Sequence, residues 1–245
     1  SANRDRKVGE RFEDINVDRL DFKTFRWRPF QLAFFLLSLR GLWEPAHPDR
    51  SIVDLIWFPT GGGKTEAYLA VAAFEMLRRR MIEGDRGNGT AIIKRYTLRL
   101  LTIQQFERAG SLICALETMR RSGRVPGNVP FSLGLWVGND SSPNEHGGRT
   151  GACTDLAKIL STTGKVDGVR VPLKQCPVCS TPIVPLQKRA GNDGVGLREV
   201  NGEVEVFCPN VDCTFHDSLP ISYIDEHLYA NPPTMLLGTI DKFAM

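Results

Sequence analysis

The chain has 245 residues, 42% hydrophobic and 24% charged, an ordinary globular composition that allows one domain with an insert or two small domains. Its formal charge of +3 is too small to argue for nucleic acid by itself, so such a claim has to come from motifs. The longest apolar run, 30–39, is shorter than the roughly 20 residues a membrane-spanning helix needs, and residues 1–21 lack the pattern of a secretory signal, so a cytosolic chain is expected.

After a polar lead-in over 1–25, Arg28-Pro29-Phe30-Gln31 opens an apolar helix expected to run to about Arg40, with Pro29 in its first turn and Gly41 just past its end. A Pro-rich link over 44–48 leads to 51–58, whose density of Ile, Val, Leu and aromatic residues suits a buried parallel strand. A glycine-rich turn then opens a helix expected to end near Arg78-Arg79-Arg80, where cations suit a solvated helix end. Arg120, Arg121 and Arg124 invite the same reading. A strand over 90–96, a long helix over 101–121 and a strand over 131–137 continue the alternation, which implies a parallel sheet and an α/β fold. A loop rich in Gly, Ser and Pro spans 138–151, and a short helix is expected over 154–160.

From 164 to 220 the pattern changes to Pro, Gly and paired Cys, with one short strand over 200–207. The sheet pattern returns at 234–238. The expected organisation is therefore a first sheet-bearing part over 26–163, an inserted module over 164–220, and a return to the first part over 221–245. The abrupt beginning and end suggest a fragment of a larger protein.

The turn Pro59-Thr60-Gly61-Gly62-Gly63-Lys64-Thr65 has a direct chemical reading. Three glycines let successive backbone N–H groups curl around phosphate oxygens, and the helix start adds its partial positive charge. Lys64 would reach the β and γ phosphates of ATP, and the Thr65 hydroxyl would ligate Mg²⁺. Phe58 stands where the strict phosphate-loop pattern has its first Gly.

Cys176-Pro177-Val178-Cys179 and Cys208 to Cys213 form C-x2-C and C-x4-C pairs separated by 28 residues. Each pair can present two thiolates to one tetrahedral Zn²⁺, and a closed four-Cys site is structural rather than catalytic. A rival ligand set has His216 in place of Cys213. Disulfides are disfavoured in a reducing compartment, and a redox C-x-x-C would need a βαβ context that this segment lacks. Cys114 belongs to a helix core. Cys153, His47 and His146 have no assigned role.

These segments together resemble superfamily 2 helicases and translocases, whose motor domains are RecA-like. Arg28-Pro29-Phe30-Gln31 is similar to the family's R-P-Y-Q stretch, 59–65 to its phosphate loop, Arg99-Leu100-Leu101-Thr102-Ile103-Gln104 to R-E-L-A-x-Q, and Thr239-Ile240-Asp241-Lys242-Phe243 to T-P-G-R-L. The resemblance implies that Gln31 reads the adenine edge. It also implies a nucleotide site made of Arg28, Gln31, Pro59, Thr60, Gly61, Gly62, Gly63, Lys64, Thr65 and Glu66, with Lys64 and Thr65 catalytic. Arg99, Gln104, Thr239 and Lys242 would face nucleic acid.

The wording of 58–69, 95–106 and 238–243 is closer still to DrmA-type helicases of bacterial DISARM antiphage systems. That resemblance covers 26–245 and implies a DNA translocase with a DrmB-type partner. The family's acidic box would follow the Thr239 motif, beyond residue 245, and the second motor domain with its arginine fingers is absent as well. Asp225-Glu226-His227 only mimics that box, and no catalytic role is expected of it. Two alternatives stay open on sequence: a nucleotide- and zinc-binding assembly module without productive hydrolysis, and a P-loop enzyme for small molecules, which the 99–104 and 239–243 motifs oppose.

Overall fold

A computed structural model of the chain describes residues 26–57, 62–97, 99–188 and 194–244, without the side chains of 99–101. Helix α1 (Pro29–Trp43) starts at Pro29, whose missing N–H is no loss in a first turn. It runs past Gly41, which the sequence placed outside it. A 3₁₀ turn (Pro48–Ser51) follows.

Residues 52–57 do not form the expected strand. They have no ladder partner among the described residues, and Val53, Leu55 and Trp57 are 93%, 82% and 87% exposed. Apolar composition marks a segment fit for a buried strand, but a strand exists only where a neighbour takes its N–H and C=O groups.

Helix α2 (Lys64–Glu83) has no Gly or Pro before Gly84, and buries Ala67, Ala72, Met76 and Arg80 at helical spacing. Strand β1 (Ile92–Tyr96), helix α3 (Arg99–Arg121) and strand β2 (Leu133–Trp136) follow close to expectation. Helix α4 (Ala152–Ser161) comes next, then short antiparallel strands β3 (Gly164–Lys165) and β4 (Gln187–Lys188). Strands β5 (Leu197–Val200) and β6 (Glu203–Val206) form a hairpin where one strand was expected. Asn201 and Gly202 both have positive φ, 52° and 84°, the mirror-image turn for which Asn-Gly is the favoured pair. Strand β7 (Ile221–Ser222), helix α5 (Asp225–Ala230), strand β8 (Met235–Thr239) and helix α6 (Ile240–Phe243) complete the chain.

The main sheet has four strands in the order β1-β8-β2-β7, all parallel, which fits the expected α/β, RecA-like class. Strand β8 arrives last in sequence yet lies between β1 and β2, with Tyr96 beside Thr239 and Trp136 beside Gly238. Helix α3 lies across β1, β8 and β2. Leu228 of α5 lies against Gly134 of β2, where a Cβ would stand 2.7 Å from it.

The Cys-rich segment shares this core. One buried cluster joins Phe106, Ile113, Leu133 and Leu135 to Cys176, Val178, Ile183 and Phe215. Gly110 of α3 touches Pro177, where a Cβ would come within 3.0 Å of the ring, and Ser111 Oγ donates to the Pro177 carbonyl at 3.2 Å.

Arg124 is exposed as expected, but Arg80, Arg120 and Arg121 are tied within the fold. Arg80 is fully buried, donates to Asn88 Oδ1 and the Pro130 carbonyl, and lies 4.9 Å over the Phe131 ring. Fully buried Glu117 accepts two bonds from Arg120 at 2.8 and 2.7 Å, one from Arg121 at 3.0 Å and one from the Phe131 N–H at 3.1 Å. Arg121 also donates to the Thr214 carbonyl and covers the Phe215 ring at 4.5 Å. Side chains this long reach past their own helix end, so placement at a helix C-terminus did not make them solvated.

Burial pushes the Glu117 carboxyl up, but the bonds from Arg120 and Arg121 outweigh it and hold the group below the usual range. A depressed carboxylate stabilises the fold above its unfolded value near 4.5, and that contribution is lost as pH falls through the folded value. Glu117→Gln should cost about 3–5 kcal/mol in urea unfolding at neutral pH, the scale for breaking a buried pair, with a smaller difference at acid pH. An equal deficit at both pH values would show that the carboxylate's charge is not what matters.

Candidate functional site

The end of the glycine turn is gripped from α1. Gln31, 5% exposed, donates from Nε2 to the Gly63 carbonyl at 2.7 Å, while its Oε1 accepts the Arg28 N–H at 2.8 Å. Arg28 Nη1 donates to the Gly62 carbonyl at 2.9 Å. Gly63 caps α2 in the left-handed region, φ 88°, and a Cβ there would lie 2.6 Å from Gln31 Nε2, so both conformation and contact require glycine. Lys64, Thr65 and Glu66 form the first turn of α2, where N–H groups lack intrahelical partners and favour an anion. Phe58, Pro59, Thr60 and Gly61 lie outside the described residues. The described half of the turn thus fits a phosphate group, and the sequence did not foresee that Gln31 would be occupied by backbone.

The residues expected to face nucleic acid fall at or near the C-terminal ends of β1 and β8. Arg99 begins α3, its side chain outside the described residues, and Gln104 is exposed on the same helix. Thr239 ends β8 and precedes α6, and is buried at 6% exposure. Lys242 differs from expectation: its ammonium donates to buried Asp225 at 2.6 Å and lies 5.8 Å from the Trp136 ring. That charge is compensated within the fold. Asp225 meets Lys242, and Glu226 accepts the His146 N–H at 2.9 Å.

The four paired cysteines converge. Sγ atoms of Cys176, Cys179, Cys208 and Cys213 all lie within 4.8 Å of one another, buried and not in disulfides. Cys179 to Cys208 is 3.3 Å and Cys176 to Cys213 is 3.9 Å, near the ~3.8 Å edge of a sulfur tetrahedron around Zn²⁺ with 2.3 Å bonds. The Val178 N–H points at Cys176 Sγ at 3.4 Å, the kind of donor that supports a thiolate. The convergent set contains Cys213 and not His216, whose Nδ1 bonds the Cys208 carbonyl at 2.8 Å. Cys114 is a core residue as expected, fully buried, and burial pushes its thiol up.

One constellation has no counterpart among the sequence motifs. His146, Glu203 and His227 bring their donor atoms within 4.8 Å of one another. His146 Nδ1 accepts the Val204 N–H at 2.9 Å, so the neutral ring carries its proton on Nε2 and offers no lone pair there. Burial lowers its pKa and keeps it neutral. The set is a joint between the 138–151 loop, the β5–β6 hairpin and α5 rather than a metal centre. Its members are far apart in sequence, so no spacing could have shown it.

Comparison with known proteins adds a relationship. Over 236 residues, 91% of this chain, the sequence is 38% identical to the DISARM protein DrmA of Bacillus paralicheniformis. The chain is similar to a DrmA. It spans 20% of that relative's length. No family model matches the chain. No helix among the described residues is long and apolar enough to cross a membrane.

The cysteine geometry predicts one Zn²⁺ per chain in protein purified without added metal, measured by elemental analysis. Cys208→Ser should lose the metal and, because the segment shares the core with α3, lower the melting temperature of the whole chain; structural zinc contributes folding free energy on the order of 10 kcal/mol. A metal-free chain with unchanged melting would sink the assignment.

Proposed function

We propose that this chain is the ATP-binding part of an ATP-dependent DNA helicase or translocase acting in bacterial antiphage defence. The observation that carries the reading is the grip of Arg28 and Gln31 on the Gly62 and Gly63 carbonyls, at the point where Lys64 and Thr65 open α2. Two segments read separately as family motifs meet there, at the start of a helix fit for phosphate. Similarity to a DISARM DrmA supports the setting in defence and makes a DrmB-type partner part of the proposal.

Bound Mg²⁺ and ATP would supply the transferable γ phosphate and the charge that screens it. Gly62 and Gly63 leave room for close backbone approach, and the first N–H groups of α2 would receive the phosphate oxygens. The Lys64 ammonium would compensate charge on the β and γ phosphates, and the Thr65 hydroxyl would offer an oxygen to the metal. Gln31 holds the turn in shape before nucleotide arrives, and would have to give up its bonds to Gly63 and Arg28 to read the adenine edge. The four-Cys site is closed and gives α3 a rigid backing.

A translocase must hold any sequence, so its track contacts phosphates, which carry no base information. Arg99, Gln104 and Thr239 are the residues proposed for it.

Lys64→Ala in the full-length protein should abolish ATP hydrolysis, because charge developing on the γ phosphate loses its counter-ion. Near-normal DNA-stimulated turnover in that variant would overturn the phosphate-loop assignment. Arg99→Ala should weaken binding to two unrelated single strands about equally and reduce the log–log salt slope by roughly 0.7, one phosphate's share. A loss confined to one sequence would mean that the track lies elsewhere.

A further inference from the structure

One ion pair joins the helix that begins at the phosphate turn to the helix that begins at the 99–104 motif. Arg108 Nη2 of α3 donates to Glu66 Oε1 of α2. Glu66 directly follows Lys64-Thr65 in the first turn of α2. Arg108 stands four residues beyond Gln104, so the two share a face of α3.

The pair is built to open. The two side chains are 42% and 33% exposed, and Arg108 reaches only one carboxylate oxygen, leaving Glu66 Oε2 buried without a hydrogen-bond partner among the described residues. A pair this exposed and singly bonded contributes little to stability. Arg108 also meets like charge. The Lys94 ammonium on β1 is buried without a hydrogen-bond partner among the described residues, 6.0 Å from the Tyr68 ring and 5.6 Å from the Tyr96 ring. Burial first, and then the Arg108 charge, push the Lys94 pKa down to about 8. The same repulsion acts on Arg108, and the Glu66 carboxylate offsets it.

We infer that Arg108 is a positioning residue that couples the two proposed sites: by holding Glu66 it sets the start of α2 against α3. Nucleic acid on the α3 face and nucleotide at the α2 start then bias one shared pair between closed and open states. The coupling is expressed in turnover rather than in affinity, so it need not be reciprocal in binding, and the shared pair is the physical element that both ligands act on. This inference rests on the proposed ATPase activity.

The test is ATP turnover by the full-length protein with and without single-stranded DNA, for the wild type, Arg108→Ala, Arg108→Lys and Arg108→Gln. Arg108→Ala should keep DNA-free turnover and the half-saturating DNA concentration, and lose the DNA-driven increase. Arg108→Lys should restore part of that increase, since an ammonium can still meet Glu66. Arg108→Gln keeps length and polarity without charge; it should behave as Arg108→Ala and serves in its place if the truncated side chain impairs folding. Full stimulation in the Ala and Gln variants would overturn the inference. So would a raised half-saturating DNA concentration, which marks a direct contact, or lower DNA-free turnover with the stimulation ratio intact, which marks a support role. A wild type that shows no stimulated turnover would refute the ATPase reading itself, and this inference with it, before any variant is compared.

Discussion

A carboxylate with no exposed surface sits near the end of α3, and the assembly depends on its being matched. Glu117 takes bonds from Arg120, Arg121 and the Phe131 N–H, so it fixes the end of its own helix and the approach to β2 together. Burying a charge is costly unless its lone pairs are filled, and here they are. Arg121 carries the effect onward, because the guanidinium that satisfies Glu117 also covers Phe215 and donates to the Thr214 carbonyl. The Cys-rich segment is thereby docked on the same helix end, close in sequence to Cys213.

This arrangement gives α3 three roles. Its middle lies over β1, β8 and β2; Gly110 and Ser111 receive the Pro177 knuckle of the cysteine cluster; and Arg108, in its N-terminal half, meets Glu66 at the start of α2. A helix held at its end by ionic bonds and at its middle by a metal-fitted knuckle is a stiff lever. Stiffness matters for the proposed activity, because a shift at one end of a packed element reaches the other only if the element does not deform.

The Lys242–Asp225 pair shows how tertiary context redirects a motif residue. Gly238 is compressed between Phe243 and the Trp136 carbonyl, which brings α6 back against the sheet and sets Lys242 beside Asp225. Within the motif the lysine reads as a phosphate contact; in the fold its charge is already balanced. The neighbouring Thr239 keeps its place at the end of β8.

The sequence by itself determined the features that local spacing encodes. Alternating apolar runs and helical periodicity gave the α/β class and, within a few residues, β1, α3, β2 and β8; the two Cys pairs gave the metal-fitted cluster; the glycine turn before Lys64 gave the start of α2. Each is a signal carried by residues close in the chain. The tertiary structure decided the features that depend on distant partners. Residues 52–57 have the composition of a strand and no ladder, since composition cannot supply a neighbour. Arg80, Arg120 and Arg121 read as solvated ends and proved internal, because Asn88, Glu117 and Phe215 could be matched to them only once the chain had folded. The choice of Cys213 over His216, the sharing of one core by sheet and cysteine segment, and the meeting of Glu66 with Arg108 are likewise contacts between separated residues, and separation in sequence leaves no periodicity to read.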